Sequence, residues 1–318
     1  MRIYTHPSFY RHDTGEGHPE SASRLDWALQ GVARAGLAGS VVKETAVHAD
    51  TSRIIEKAHA PAYEDEVAAA CRRGMRFFHS LDNPISSDTF AAARAAVGTT
   101  LTAAAEMLAS RERAFVVARP PGHHAERVEA MGFCFFNNVA CAAEWLREQP
   151  GIERIFIFDF DVHHGNGTQH TFERRDDVYY ASIHRYPFYP GTGAAEEVGA
   201  GAGRGFTTNL PMPADAGDAM YLDAVEETVV RIIDDYRPNA ILLSAGFDAH
   251  RRDPLGGMRV SEEAYGEITR RVVEAAERWC DGRVLSLLEG GYDPDGLAAS
   301  VAEHVAALCE RHESTMSP

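Results

Sequence analysis

Cysteine is scarce and scattered in this chain: five residues among 318, at Cys71, Cys134, Cys141, Cys280 and Cys309, with no Cys-x-x-Cys pair. An odd, widely spaced set excludes a disulfide framework and a cysteine-built zinc site, and it fits a reducing compartment. Long apolar runs are missing too: no stretch approaches the roughly 20 uninterrupted apolar residues that a membrane helix requires. The opening Met1-Arg2-Ile3-Tyr4-Thr5-His6-Pro7 lacks the basic-then-apolar pattern of a secretory leader, so the expected location is cytoplasmic, with no membrane partner. Positive charge is in deficit, with 31 Lys and Arg against 47 Asp and Glu, a net −16 with His neutral. Such a surface repels phosphate backbones, and nucleic acid is not an expected partner. What remains is a composition 45% hydrophobic and 25% charged, the balance of a globular protein with a sizeable core. There are also fifteen histidines, several of them adjacent and flanked by Asp, Gly and Pro.

Apolar spacing of three and four predicts helices over Ser23–Leu37, Ser52–Arg73, Ser87–Ser110, Asn138–Glu148, Asp218–Tyr236, Ser261–Cys280 and Asp295–Cys309, with Ser87 and Ser261 as N-caps. Short apolar runs predict buried strands at Arg2–Tyr4, Phe115–Ala118, Ile155–Phe158, Val178–Ile183, Ala240–Ser244 and Val284–Leu288. Strands alternating with helices imply a parallel sheet covered on both faces, here read as one α/β domain over residues 1–318. Polar clusters follow four of the strands: Arg119-Pro-Pro-Gly-His-His124, Asp159-Phe-Asp-Val-His-His164, Ala245-Gly-Phe-Asp248 and Glu289-Gly-Gly-Tyr292. Open parallel sheets bind ligands beyond the carboxyl ends of their strands, so four clusters placed there converge on one site.

In an extended segment side chains alternate, so Asp159, Asp161 and His163 share a face opposite Phe160 and Val162. Two carboxylates and an imidazole offer ligands to a borderline metal such as zinc. An isolated Asp-x-Asp reads more simply as a strand end capping helix N-termini; the attached His163-His164-Gly165 tips the reading to metal. Asp161 and His163 need a further protein ligand, and Asp248 is placed to supply it, although alone it reads as a turn residue. The tandem His123-His124 after a rigid Pro-Pro-Gly turn suits proton transfer, because imidazole titrates near neutrality. Tyr292 after two glycines offers a phenol to a developing oxyanion, or simply packs. Gly132-Phe133 and Phe188-Tyr189 place aromatics near turns, where they belong to the core or wall a narrow channel.

Together these motifs carry a resemblance. Arg-Pro-Pro-Gly-His-His-Ala (119–125), Gly-Phe-Cys-Phe-Phe-Asn-Asn (132–138), Asp-Phe-Asp-Val-His-His-Gly-Asn-Gly-Thr (159–168), Ala-Gly-Phe-Asp (245–248) and Glu-Gly-Gly-Tyr (289–292) occur in that order. The chain resembles the zinc-dependent histone deacetylase superfamily, its class II branch and the bacterial deacetylase-like and acetylpolyamine amidohydrolases, over nearly its whole length from Gly17-His18-Pro19-Glu20 onward. The resemblance implies an arginase/deacetylase-like three-layer α/β/α fold with a central, mostly parallel sheet. It implies one catalytic Zn2+ on Asp161, His163 and Asp248. His124 matches the general base toward the attacking water, and His123 its electrostatic partner, oriented by Asp159. Tyr292 matches the oxyanion donor. Phe133 and Tyr189, beside Gly132, match the walls of an acyl-lysine tunnel.

Several details refine the expected activity. Asn166 stands where class I members carry Asp, which places the chain with class II and withholds a negative charge from His124. Tyr292 is intact, so the resemblance implies active deacetylation of acetylated lysine in proteins or peptides, or of small acylated amines. Polyamine-selective relatives carry a glutamate in the loop after the last zinc ligand; Leu255 matches that position, which favours acyl-lysine. Glu16, Glu20 and Asp82 stay open as other acids at the mouth, and Asp82 also matches a rim position that grips the substrate backbone. A structural K+ is implied at Asp159, Asp161, His163 and Ser182, with a second near Phe172, Arg175 and Val178. The alternatives are acetylpolyamine hydrolysis and a catalytically silent acyl-lysine binding module. Manganese arginase chemistry lacks its Asp-Ala-His-x-Asp signature here.

Overall fold

The computed structural model describes residues 1–42 and 48–310. Its strands are β1 (Arg2–Tyr4), β2 (Val41–Val42), β3 (Phe77–Phe78), β4 (Ser80–Pro84), β5 (Ala114–Val116), β6 (Ile155–Asp159), β7 (Val178–Arg185), β8 (Thr207–Met212), β9 (Ala240–Ala245) and β10 (Val284–Leu288). Eight of them form one sheet in the order β2-β1-β5-β10-β9-β6-β7-β8, and every pairing in it is parallel. The centre is built from β5, β6, β9 and β10, all of whose residues are buried. Continuous apolar runs such as Ile155-Phe-Ile-Phe158 suit strands covered on both faces. The expected α/β fold is therefore present, with a main sheet parallel throughout.

The helices are α1 (Ser23–Arg34), α2 (Thr51–Ala58), α3 (Tyr63–Arg72), α4 (Thr89–Ser110), α5 (Asn138–Leu146), α6 (Asn166–Phe172), α7 (Asp218–Ala224), α8 (Arg231–Tyr236), α9 (Glu262–Cys280) and α10 (Pro294–Cys309). Ser261 caps α9 as expected, accepting from the Ala264 N–H. Asp293 caps α10 ahead of Pro294, whose missing N–H costs nothing in the first turn. No helix of the described residues is long and apolar enough to cross a membrane.

Some expectations needed correction. The helix predicted over Ser52–Arg73 is two, α2 and α3, broken at His59–Ala62 around Pro61, which has no N–H to continue the ladder. Ser87 does not cap α4: Asp88 occupies that position, and the Ser87 hydroxyl donates to the Asp88 carboxylate. The run Asp218–Tyr236 stays helical but widens to a π segment at Val225–Val230 between α7 and α8. β8 escaped notice because it is polar and contains Pro211; it lies at the sheet edge, where a residue without an N–H is tolerated. The β3–β4 hairpin, also unexpected, carries Asn83, whose side-chain Oδ1 accepts from the Phe133 N–H at 2.9 Å.

Candidate active site and metal centre

The loops after the four central strands meet at one end of the sheet. Beyond β6, the backbone locks the acids in place: Asp161 Oδ1 accepts from the His163 N–H at 2.9 Å and Oδ2 from the Gly290 N–H at 2.8 Å. Asp248, beyond β9, accepts the Val162 N–H on Oδ1 at 2.8 Å. Its Oδ2 is buried and takes part in no hydrogen bond. That orphaned oxygen lies 3.2 Å from His163 Nδ1, which is itself 3.0 Å from Asp161 Oδ1. One ligand atom from each of Asp161, His163 and Asp248 falls within 4.8 Å of the others.

The cradle is tight. A Cβ on Gly290 would stand 2.1 Å from Asp248 Oδ2, and one on Gly246 2.1 Å from Asp161 Oδ2, so both positions require glycine. Burial works against the His163 cation, yet the two carboxylates raise its pKa to about 10. Burial and Asp161 together push Asp248 up to about 7. The two buried carboxylates draw positive charge to this cradle, as the raised His163 shows; a metal ion can supply it in place of the His163 proton, with the orphaned Asp248 oxygen as a free ligand. The residues present fit a divalent zinc-type ion.

The two adjacent histidines are held differently. His123 Nδ1 lies 3.0 Å from Asp159 Oδ2, which also accepts from the Tyr180 hydroxyl at 3.2 Å. Burial lowers His123, but Asp159 and Asp161 more than reverse this and raise it to about 10, a cation at neutral pH. His124 Nδ1 instead meets the neutral Asn166 Oδ1 at 2.7 Å. Burial, then the neighbouring His123 and His163, holds His124 well below the ordinary imidazole range. One ring is thus charged and the other a free base.

A cavity of about 170 Å³ opens onto these groups. Gly132, Phe133, Tyr189, Leu255, Asp82 and Tyr292 all line it, together with His123, His124 and His163. Tyr189 stands edge-on to His124, ring centroids 5.2 Å apart, and Phe133 edge-on to Tyr292 at 6.1 Å. Burial, with the Asp248 and Asp161 carboxylates, keeps the Tyr292 phenol well above its ordinary pKa, hence protonated. Of the potassium residues, Asp159 and Ser182 are register neighbours on β6 and β7, and Ser182 Oγ is 2.9 Å from His184 Nδ1.

Glu20 does not belong to the mouth. It is fully buried, paired with Arg119 at 2.8 Å and Arg24 at 3.1 Å. Glu16 is exposed and outside the cavity lining, whereas Asp82 is at the rim. Sequence reasoning missed the supports. Arg24 of α1 donates to the carbonyls of Glu289 and Gly291 and lies over the Tyr292 ring at 4.8 Å. Glu289 accepts the N–H groups of Gly122 and His123, aiming the histidine turn. Phe188 stacks on His163 with ring centroids 5.3 Å apart. Glu289 carried a signal in the Glu-Gly-Gly-Tyr motif, and Phe188 one in the aromatic run Phe188-Tyr189, though its place against His163 was not legible; Arg24 carried none.

An eight-stranded parallel sheet with a two-acid, one-histidine cluster able to hold a metal ion, beside paired histidines and a tyrosine, defines the class: an α/β protein with a candidate site at the carboxyl ends of its strands. The family follows from comparison. Residues 18–308 match the histone deacetylase domain model, and the chain belongs to that family. It is 36% identical to a probable deacetylase of Archaeoglobus fulgidus, covering 92% of this chain and 82% of that protein. It is 35% identical to chloroplastic histone deacetylase 14 of Arabidopsis thaliana, over 92% and 73%. The crystal structure of the HDA15 HD domain superposes with a TM-score of 0.90 at 33% identity, covering 98% of this chain and 91% of that one.

Proposed function

We propose that the protein is a class II-like, zinc-dependent amidohydrolase that removes acyl groups, acetyl above all, from lysine Nε in proteins or peptides. The observation that carries the reading is the single cavity lined by His123, His124, His163, Tyr292 and two aromatic walls. Family membership and the deacetylase-named relatives support amide hydrolysis as the reaction class. Asp161, His163 and Asp248 would hold the zinc ion, which when bound supplies Lewis acidity toward the acyl carbonyl and the incoming water.

The rest belongs to the chain's own side chains. Phe133 and Tyr189 flank the acyl-lysine stem and exclude water from it. Neutral His124 takes the proton from the attacking water and returns it to the leaving amine. Cationic His123, fixed by Asp159, stabilises the negative charge that develops beside it. Tyr292 donates its hydroxyl hydrogen to the oxyanion. Asp82 at the rim receives the substrate's backbone N–H groups. A K+ ion at the carboxyl ends of β6 and β7, beside Ser182, is part of the same proposal, as is residence in a reducing cytoplasm.

A second reading, acetylpolyamine hydrolysis, is favoured by Asp82, a carboxylate on the cavity lining; Leu255 on the same lining counts against it. The deciding test compares kcat/KM of zinc-loaded protein on an acetyl-lysine peptide with that on N-acetylputrescine and N-acetylspermidine. Preference for the peptide, abolished in His124→Ala, is the expected result. A polyamine preference overturns the lysine assignment.

A further inference from the structure

His124 is not held by Asn166 alone. The Asn166 amide is buried: its Oδ1 faces His124 Nδ1 at 2.7 Å, and its Nδ2 donates to Glu126 Oε1 at 2.5 Å, with longer contacts to the His124 carbonyl at 3.3 Å and Met131 Sδ at 3.5 Å. The same Glu126 oxygen lies 2.8 Å from His170 Nδ1. Asn166 and His170 are four residues apart on α6, hence on one helix face. Glu126 is itself fixed: its backbone carbonyl accepts from His59 Nδ1 at 2.8 Å, while His59 Nε2 accepts the Asn137 N–H at 2.9 Å.

Hydrogen-bond direction along this chain has only one solution. A carboxylate only accepts, so the Asn166 NH2 must face Glu126 and its carbonyl oxygen must face His124. That oxygen also only accepts, so His124 must carry its hydrogen on Nδ1 and leave Nε2 bare. Without a carboxylate at 126 only the longer bond to the His124 carbonyl, at 3.3 Å, would oppose a flip of the amide that presents NH2 to His124 and reverses the ring's tautomer.

We propose that Glu126 is a positioning residue for His124: acting through Asn166, its carboxylate fixes the base-competent tautomer. It takes the place of an acid in direct contact with the ring. The inference rests on the proposed role of His124 as the base. Lys57 and Arg175 share with Glu126 and His170 the lining of a separate cavity of about 230 Å³, so the far end of the chain lies outside the acyl-lysine site.

The test is a double-mutant cycle with two readouts. Glu126→Gln, which can donate as well as accept, is expected to lower kcat on an acetyl-lysine peptide about 10- to 100-fold with KM nearly unchanged. Asn166→Asp alone sets two carboxylates against each other and is expected to lose activity as well. In the double variant the introduced glutamine donates to the introduced aspartate, which accepts from His124; kcat should return to within about threefold of wild type. Merely structural roles would give losses that multiply, and that outcome overturns the proposal. The second readout is the 15N spectrum of the His124 ring in the zinc-loaded protein. The expected result is Nδ1–H in wild type and a mixed tautomer in Glu126→Gln. Nε2–H in wild type overturns the inference even if no substrate is turned over, whereas a peptide-inactive wild type with the expected tautomer counts only against the proposed function.

Discussion

At Gly132 a single methyl group decides the shape of the site. Its φ is +54°, and a Cβ there would lie 2.3 Å from Cδ2 of His124. Gly132→Ala is expected to leave the circular dichroism spectrum intact while cutting kcat by about 100-fold, because the imidazole must move from its working position. Tyr292→Phe removes the proposed oxyanion donor and keeps the ring that packs on Phe133 and under Arg24. A kcat loss of about 100- to 1,000-fold with KM within about twofold is expected from steady-state kinetics. An unchanged kcat would reduce Tyr292 to packing. Leu255→Glu should raise kcat/KM on acetylated polyamines by about two- to fivefold, the scale of one favourable ionic contact at a partly exposed site.

At the scale of elements, the loops that carry chemistry are tied together by buried charge. Arg24 on α1 joins Glu20 to the turn after β10, and removing it would leave an unsatisfied cluster. Arg24→Leu is expected to cost about 3 kcal/mol in urea unfolding and to lower kcat, since the Tyr292 turn loses two carbonyl anchors. This network also marks the limit of sequence reading. The central strands were legible because Ile155–Phe158 and Ala240–Ser244 are unbroken apolar runs, and the site because acids and histidines follow them at strand ends. Glu20 read as a candidate acid at the mouth and Arg24 drew no role, since nothing in their local pattern announces a buried pair. Pro61 did carry the signal that splits α2 from α3, but the apolar spacing on both sides bridged it. β8 showed no apolar alternation because edge strands need none.

At the scale of the whole molecule, acid should unfold the protein through its buried histidines. Burial lowers His12 and His59 to about 4 and His304 to about 3. In the window from about pH 6.5 down to 4 the unfolded chain binds protons at these sites and the native chain does not, so stability falls as pH falls. Glu289, raised to about 7 chiefly by burial, opposes this with one proton taken up by the native state. His164, lowered to about 2, and His184, lowered to about 4, add to the loss, while Asp248, raised to about 7, joins Glu289 in opposing it; the histidines outnumber the carboxyls, so urea midpoints are expected to fall steadily between pH 6.5 and 4.5. A flat profile would contradict the assignment of these rings as neutral in the fold.

The most direct test of the central claim is a zinc titration of the metal-stripped protein, with turnover of an acetyl-lysine peptide followed in parallel. One ion per chain is expected, with turnover rising in proportion to occupancy and affinity falling by more than about 100-fold in Asp248→Ala. Undiminished turnover in the stripped protein, or full zinc occupancy with no peptide deacylated, would contradict it.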